Sequence, residues 1–170
     1  FRMNSSIFRI TVFYYNPNID NRAEYEKRAR EQQRLISVMP TPFPVSFLEG
    51  EYLPDEFIDL ARNHEGDREG GERCTLCYAL RLEKTAKVAH EGGFDWFTTT
   101  LSVSPMKDAV RINAIGSAAG KKYAVAWLWS DFKKRDGYRQ SIELSKEYGL
   151  YRQNYCGCSY SRRKGDTELS

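Results

Sequence analysis

The longest apolar run opens the chain. "IFRITVFYYN" holds Ile7, Ile10, Val12, Phe13, Tyr14 and Tyr15 in a nearly unbroken β-prone stretch. Continuous rather than alternating apolar positions mark a strand covered on both faces, as in a parallel sheet. Asn16-Pro17-Asn18 breaks it, and "NRAEYEKRAREQQRLISVM" then reads as a polar helix with apolar positions at Ala29 and Ile36. Pro40, Pro42 and Pro44 end that helix and lead to a short strand in "VSFLE". A helix follows in "PDEFIDLARN", with Pro54 suited to its first turn. After the glycine- and charge-rich loop "HEGDREGGE", the stretch from Cys74 to Glu91 is helical, with Ala79, Leu82, Ala86 and Ala89 at three- and four-residue spacings. Gly92-Gly93 stops it. "FDWFTTTLS" is the next strand, and Ser104-Pro105 is expected to open a helix, Ser104 as N-cap, that reaches Gly120. "YAVAWLW" reads as a strand and "RQSIELSKEYG" as the last helix.

Strands alternating with helices predict an α/β domain, a mainly parallel sheet sandwiched by helices, over residues 1–170. Residues 162–170 are expected to form a flexible tail. A fully buried strand is an unusual first element, so this reading expects a preceding β-α unit to be missing.

Composition narrows the class. The chain has 170 residues, 41% hydrophobic and 29% charged, which excludes a disordered chain. No apolar run approaches the roughly 20 residues that cross a bilayer. "FRMNSSIFRI" lacks the layout of a signal peptide, and a cytoplasmic protein with no membrane partner is expected. A net charge of +3 says little about partners. Locally, Lys133, Lys134, Arg135 and Arg139 lie within seven residues, and Arg162, Arg163 and Lys164 follow later; solvated faces are the commoner meaning of such runs.

Sulfur changes the picture more. The four cysteines form two tight pairs, Cys74 with Cys77 and Cys156 with Cys158, and 79 positions separate the inner two. Cys74 and Cys77, three apart at a helix start, face the same way. The helix N-terminus and Arg73 or Arg81 are expected to favour thiolate there. Gly157 lets the second pair curl onto one point. Two convergent pairs supply the four soft ligands of a tetrahedral zinc or an iron–sulfur cluster. Disulfides are awkward in a cytosolic protein, and a thioredoxin-like dithiol would leave the second pair unexplained. Structural zinc usually spaces its ligand pairs about 10–20 residues apart, so a cofactor at the carboxyl edge of the sheet accounts better for the long separation.

Other candidates are weaker. "TTTLSVSPMKD" places Ser102, Ser104 and Lys107 where a phosphate could sit, with plain capping by Ser104 the favoured reading. His64 and His90 read as surface residues. Tyr138, Tyr148, Tyr151, Tyr155 and Tyr160 interleave with basic residues, a pattern open both to RNA stacking and to aromatic packing.

Taken together, "FYYNPNI", "EYEKR", "GGERCTLCYALRLEKTA", "GFDWFTTTLSVSP" and "SDFKKRDGYRQSIELSKEYGLYRQNYCGCSYS" resemble the QueH-type epoxyqueuosine reductases, in order from Val12 to Ser161. The resemblance implies a nucleotide-binding α/β fold similar to the HUP group, Rossmann-like, with the C-terminal cysteine segment closing a metal site. It implies a tRNA-modifying oxidoreductase that reduces epoxyqueuosine at the wobble position to queuosine, the last step of queuosine biosynthesis. Its cofactors would be a [4Fe-4S] cluster and an adjacent mononuclear iron, without cobalamin; its partners would be tRNA and an unidentified electron donor. Carried over by position, Cys74, Cys77, Cys156 and Cys158 are the metal ligands. Tyr155 and Asp131, beside motif residues, are candidate proton donors, and Lys133, Lys134, Arg135 and Arg139 candidate contacts to tRNA phosphates. Members of the family also carry a paired-cysteine motif similar to H-x-C-C-x-P-C after their first strand, which nothing here matches, so an incomplete ligand set is expected. The rival from another class is a zinc-stabilised RNA-binding module without redox chemistry.

Overall fold

Two parallel strand pairs, each joined through helices, frame the molecule. The computed structural model describes residues 6–134 and 136–162. Strand β1 (Thr11–Tyr14) pairs in parallel with β2 (Ser46–Glu49), Thr11 opposite Ser46 and Tyr14 opposite Glu49. Strand β3 (Trp96–Phe97) pairs in parallel with β4 (Ala126–Trp127). Parallel neighbours need a crossover, supplied by helix α1 (Arg22–Val38) in the first pair and by α4 (Ala109–Tyr123) in the second. Helices α2 (Pro54–Ala61) and α3 (Glu72–Glu91) link the two pairs, and α5 (Gly137–Glu147) follows β4. The expected α/β class and parallel pairing are present; among the described residues the pairing is confined to these two short, separate sheets.

The helix starts follow their local chemistry. Asn21 accepts from the Glu24 N–H at 3.0 Å and caps α1. Pro54 stands at the first turn of α2, as expected. At α4 the expectation fails. Asp108, not Ser104, is the N-cap, its carboxylate accepting from the N–H groups of Val110 and Arg111 at 3.0 and 3.1 Å. Asp and Ser cap about equally well; the 3₁₀ turn that ends at Val103 leaves Ser104 capping only a local turn through Met106 N–H, and the helix starts one turn later. The strand expected in "FDWFTTTLS" also stops early. Thr98 donates its hydroxyl to Leu128 O, and Thr99 Oγ1 accepts from Leu101 N–H. These side chains take bonds a ladder would have used, and the chain turns into a 3₁₀ turn at Leu101–Val103.

The main core lies between α3, α4 and the β3–β4 pair: Tyr78, Leu82, Ala86, Ala89, Phe97, Ile112, Ala119, Val125 and Trp127. The Trp127 ring lies so close to α4 that a Cβ at Gly116 would stand 2.4 Å from it. Asn113 is buried beside it with its amide fully used. Its Oδ1 accepts from Trp127 Nε1 (2.9 Å) and Ser130 N–H, and its Nδ2 donates to Ala109 O and Ser130 O. That residue fixes the loop leaving β4 against the start of α4. A smaller aromatic cluster, Tyr14, Ile19, Tyr25 and Ala29, packs α1 on β1.

Candidate metal centre

Each cysteine pair is held by its own framework. Cys74 and Cys77 lie in the first two turns of α3, whose N-cap is Gly71. The preceding loop is tied to the helix by Arg73, only 2% exposed, which donates to His64 O at 2.6 Å and Glu65 O at 3.1 Å. Asp67 accepts from Arg73 N–H, and Gly70 N–H points at Cys74 Sγ, 3.3 Å away. Backbone N–H groups aimed at a sulfur stabilise it in its ionised or ligating form.

The second pair is held by the N-terminal third of the chain. Gly157 sits at φ +121°, and a Cβ there would stand 2.7 Å from Ile19 and 3.3 Å from Arg28 and Asn18. Only glycine fits this backbone and this space. Asn18 Nδ2 donates to Cys156 O at 3.4 Å. Arg28 Nη1 donates to Cys156 O at 3.1 Å, Nη2 to Tyr155 O at 3.4 Å and Nε to Glu24 at 2.7 Å. Downstream, the Ser161 hydroxyl closes a local turn, accepting from Cys156 N–H and donating to Cys158 O. Asn16, just before the cradle, accepts from Arg81 of α3 at 2.6 Å. The "NPNI" segment therefore links the frameworks of both pairs.

The fold brings the pairs together. Cys77 and Cys158 share one buried cluster with Phe57 and Ala61, and the four cysteines form no disulfide. Burial pushes the Cys77 thiol up to about 12; Arg81 pulls against this, and the sulfurs of Cys156, Cys158 and Cys74 add to it. Arg81 thus acts on Cys77 in the expected direction, and loss of water outweighs it. Burial likewise raises Cys158, against Ser161 and Arg73. Among the described residues no three His, Cys, Asp or Glu side chains are gathered closely enough to hold a single ion. The donor set, four neighbouring soft thiols around a side-chain-free turn, suits in kind a group that takes one thiolate at each of several corners.

The other expected site residues scatter. The Tyr155 ring lies between the Arg28 and Arg162 guanidinium groups, each 5.1 Å from its centroid, and its hydroxyl accepts from Arg162 at 3.4 Å. Asp131 lies on the loop after β4, with Oδ2 3.8 Å from Lys134 Nζ and a buried Oδ1 that has no partner among the described residues. Lys133 turns inward and donates to Lys107 O at 3.1 Å. Lys134 is exposed, Arg139 pairs with Glu143 along α5 at 3.0 Å, and Arg135 lies outside the described residues. Tyr151 and Tyr160 serve packing. Tyr151 donates to Glu24 and carries Lys27 over its ring at 3.7 Å, and Tyr160 lies under Arg73 at 4.5 Å. Ser102 is fully buried and accepts from Phe132 N–H, and Lys107 is buried too, so neither is open to a phosphate. His90 is exposed, as expected; His64 is half-buried and pairs with Asp67 at 3.2 Å.

Sequence reasoning missed Arg28, Glu24 and Asn18. The i,i+4 spacing of Glu24 and Arg28 was a legible sign of a helix pair, but nothing local showed that it faces a turn about 130 positions later.

With this geometry in place, comparison with known proteins decides the family. The profile of the family described as epoxyqueuosine reductase QueH matches residues 2–164. The chain belongs to the QueH family. Proteins named epoxyqueuosine reductase QueH from Streptococcus pyogenes serotype M1, Staphylococcus epidermidis and Thermotoga maritima are 43%, 40% and 37% identical to it. The matches cover 94%, 91% and 93% of this chain and 64%, 67% and 83% of the respective QueH relatives. The chain thus spans just under two thirds of the Streptococcus protein. Among the described residues no helix is long and apolar enough to cross a membrane.

Proposed function

We propose that this chain carries out, in the cytoplasm, the reaction its relatives are named for: reduction of epoxyqueuosine to queuosine in tRNA. The observation that carries the reading is the meeting of Cys74 and Cys77 from α3 with Cys156 and Cys158 from the distant turn, each pair held by its own buried framework. A redox-inert zinc module would need all four sulfurs converged on one ion. A reductase, as the relatives are named, needs a redox-active group, which favours an iron–sulfur group over zinc at these thiols, Cys77 and Cys158 buried and Cys74 and Cys156 half-buried. Cys74, Cys77, Cys156 and Cys158 would hold it, within one α/β domain of HUP-like, Rossmann-like type closed by the C-terminal segment.

When bound, a [4Fe-4S] cluster would use all four thiols and would supply electrons singly; an adjacent iron, which would serve as a Lewis acid toward an epoxide oxygen, would need ligands beyond these four, and no cobalamin is invoked. In the overall reaction both C–O bonds of the epoxide break and a C=C bond forms. Two electrons from a donor protein or small reductant and two protons are taken up, and the oxygen leaves as water. The chain's own residues position and protonate. Tyr155, next to Cys156 in the chain, or Asp131, whose buried Oδ1 has no partner among the described residues, would supply a proton. Lys134 on the loop after β4 and Arg139 on α5 would face anticodon-loop phosphates; Arg135 joins them as a candidate from the sequence alone, and Lys133 would have to release Lys107 O to do so. Lys107 joins that loop to the sulfurs, its carbonyl accepting from Lys133 and its ammonium reaching Cys156.

The test is direct. Iron-loaded chain, a chemical reductant and tRNA bearing epoxyqueuosine are incubated anaerobically, and the nucleosides are read by mass spectrometry. The expected result is a product lighter by one oxygen, lost in the Cys158→Ser variant. An iron-loaded wild-type chain that leaves the epoxide intact would overturn the reading.

A further inference from the structure

Lys107 is buried, with its side chain 7% exposed. Its ammonium donates to Glu69 at 3.1 Å and lies 3.6 Å from Cys156 Sγ, with the Tyr78 ring 6.0 Å away. Glu69 is more open, at 37% exposure. Cys156 is itself half-buried, so the ammonium lies between two more open partners, a carboxylate and a sulfur. A Lys–Glu pair that served only to tie down a loop would keep the strongly hydrated ammonium at the surface. Here the ammonium is more buried than either the carboxylate or the thiol it touches, at a desolvation cost that only those partners can offset.

We propose that Lys107 is the counter-charge of the cysteine centre, a fixed cation hydrogen-bonded to Cys156 Sγ that sets the local potential at that sulfur and, with Glu69 as its positioning residue, the reduction potential of the iron group held there. The second half rests on the function proposed above; the first half does not. A cation and an N–H donor beside a ligating sulfur favour the more negatively charged, reduced state of a cluster. Removing the lysine should lower the potential, and neutralising Glu69 should raise it.

Two readouts keep the halves separable. In the metal-free chain, Cys156 is alkylated in parallel by anionic iodoacetate and neutral iodoacetamide and quantified by peptide mass mapping. The ratio of the two rates reports local charge and cancels the thiolate fraction, which both reagents share. A unit charge about 4 Å away, screened as in water, is worth about fivefold in that ratio. The ratio should fall about fivefold in Lys107→Met, stay within twofold of wild type in Lys107→Arg, and rise in Glu69→Gln. In the iron-loaded chain, a redox titration followed by EPR should place Lys107→Met below wild type and Glu69→Gln above it. A tenfold change in the preference for the reduced state corresponds to about 59 mV for one electron. An unchanged alkylation ratio in Lys107→Met overturns the counter-charge. A changed ratio with an unchanged potential overturns the tuning of the iron group. If Lys107→Met does not fold, Glu69→Gln decides by the same two readouts, no change in either overturning the proposal. Wild-type chain that binds no iron refutes the function reading and the tuning together, while the alkylation ratio still decides the counter-charge.

Discussion

Replacing Arg28 by alanine removes the clamp that α1 places on the cysteine turn. The guanidinium, 11% exposed, makes one ion-paired bond to Glu24 and two to the carbonyls of Tyr155 and Cys156, and covers the Tyr155 ring. Hydrogen bonds to a charged group are worth about 1.5–3 kcal/mol each, but they do not add, and water can reach part of the gap. Breaking a mostly buried pair from one side costs about 3–5 kcal/mol because the other charge stays behind. Glu24 keeps the Tyr151 hydroxyl at 3.0 Å, which favours the low end, about 3 kcal/mol. For a chain of this size that is about 6–12 °C in melting temperature, at about 2–4 °C per kcal/mol. Thermal and urea unfolding of the metal-free chain, followed by circular dichroism, measures it. Arg28→Lys keeps a charge beside Glu24 but not the two-carbonyl fork, and should fall about halfway. A loss under about 1 kcal/mol in Arg28→Ala, or equal losses in the two variants, would refute the clamp.

Three further outcomes are expected. Hydrogen bonds from Arg34 and then from Tyr151 N–H hold the Glu31 carboxyl down at about 2, from an ordinary 4.5, despite the opposing desolvation. The folded chain therefore binds this proton more weakly than the unfolded one, so its contribution is full above about pH 4.5 and is lost as pH falls toward 2. The urea midpoint of Glu31→Gln should be flatter than wild type across that window, and parallel curves would dismiss the contact. Gly116→Ala should destabilise by up to about 2 kcal/mol, an overpacking cost of about 1–3 kcal/mol against Trp127 less a helix-propensity gain of about 1 kcal/mol; a stabilised variant in urea unfolding would show that the ring does not rest on α4. Affinity for tRNA should fall steeply with salt, and Lys134→Ala and Arg139→Ala should each reduce the log–log slope by about one; an unchanged slope removes that residue from the phosphate contacts.

How far the sequence speaks for the structure depends on range. The helices were legible because their signals are local: Asn21 before α1, Pro54 in α2, Gly92 after α3. The strand lengths were not. Apolar runs such as "YAVAWLW" continue past the two residues that pair, since Val125 and Trp127 are buried against α4 whether or not they belong to a ladder. At α4, Ser104-Pro105 and Asp108 are both good starts, and only the position of the preceding turn decides between them. The cysteine ligands were legible as chemistry because sulfur is scarce in this chain. Their surroundings were not, since Arg28, Asn18 and Lys107 reach Cys156 across 128, 138 and 49 positions, and such contacts leave no periodicity. The interleaved tyrosines illustrate the same limit: the pattern that suggested RNA stacking is, at Tyr151, Tyr155 and Tyr160, cation–π packing within the fold.

The central claim is that the two distant cysteine pairs form one iron-binding centre. Anaerobic reconstitution of the chain, followed by iron, sulfide and zinc analysis beside the Cys77→Ser and Cys158→Ser variants, tests it most directly. The account predicts about four iron and four sulfide per wild-type chain, little zinc, and loss of most of both in either variant, although the two residues are 81 positions apart in sequence. One zinc per chain without sulfide, or iron that survives the loss of one pair, would contradict it.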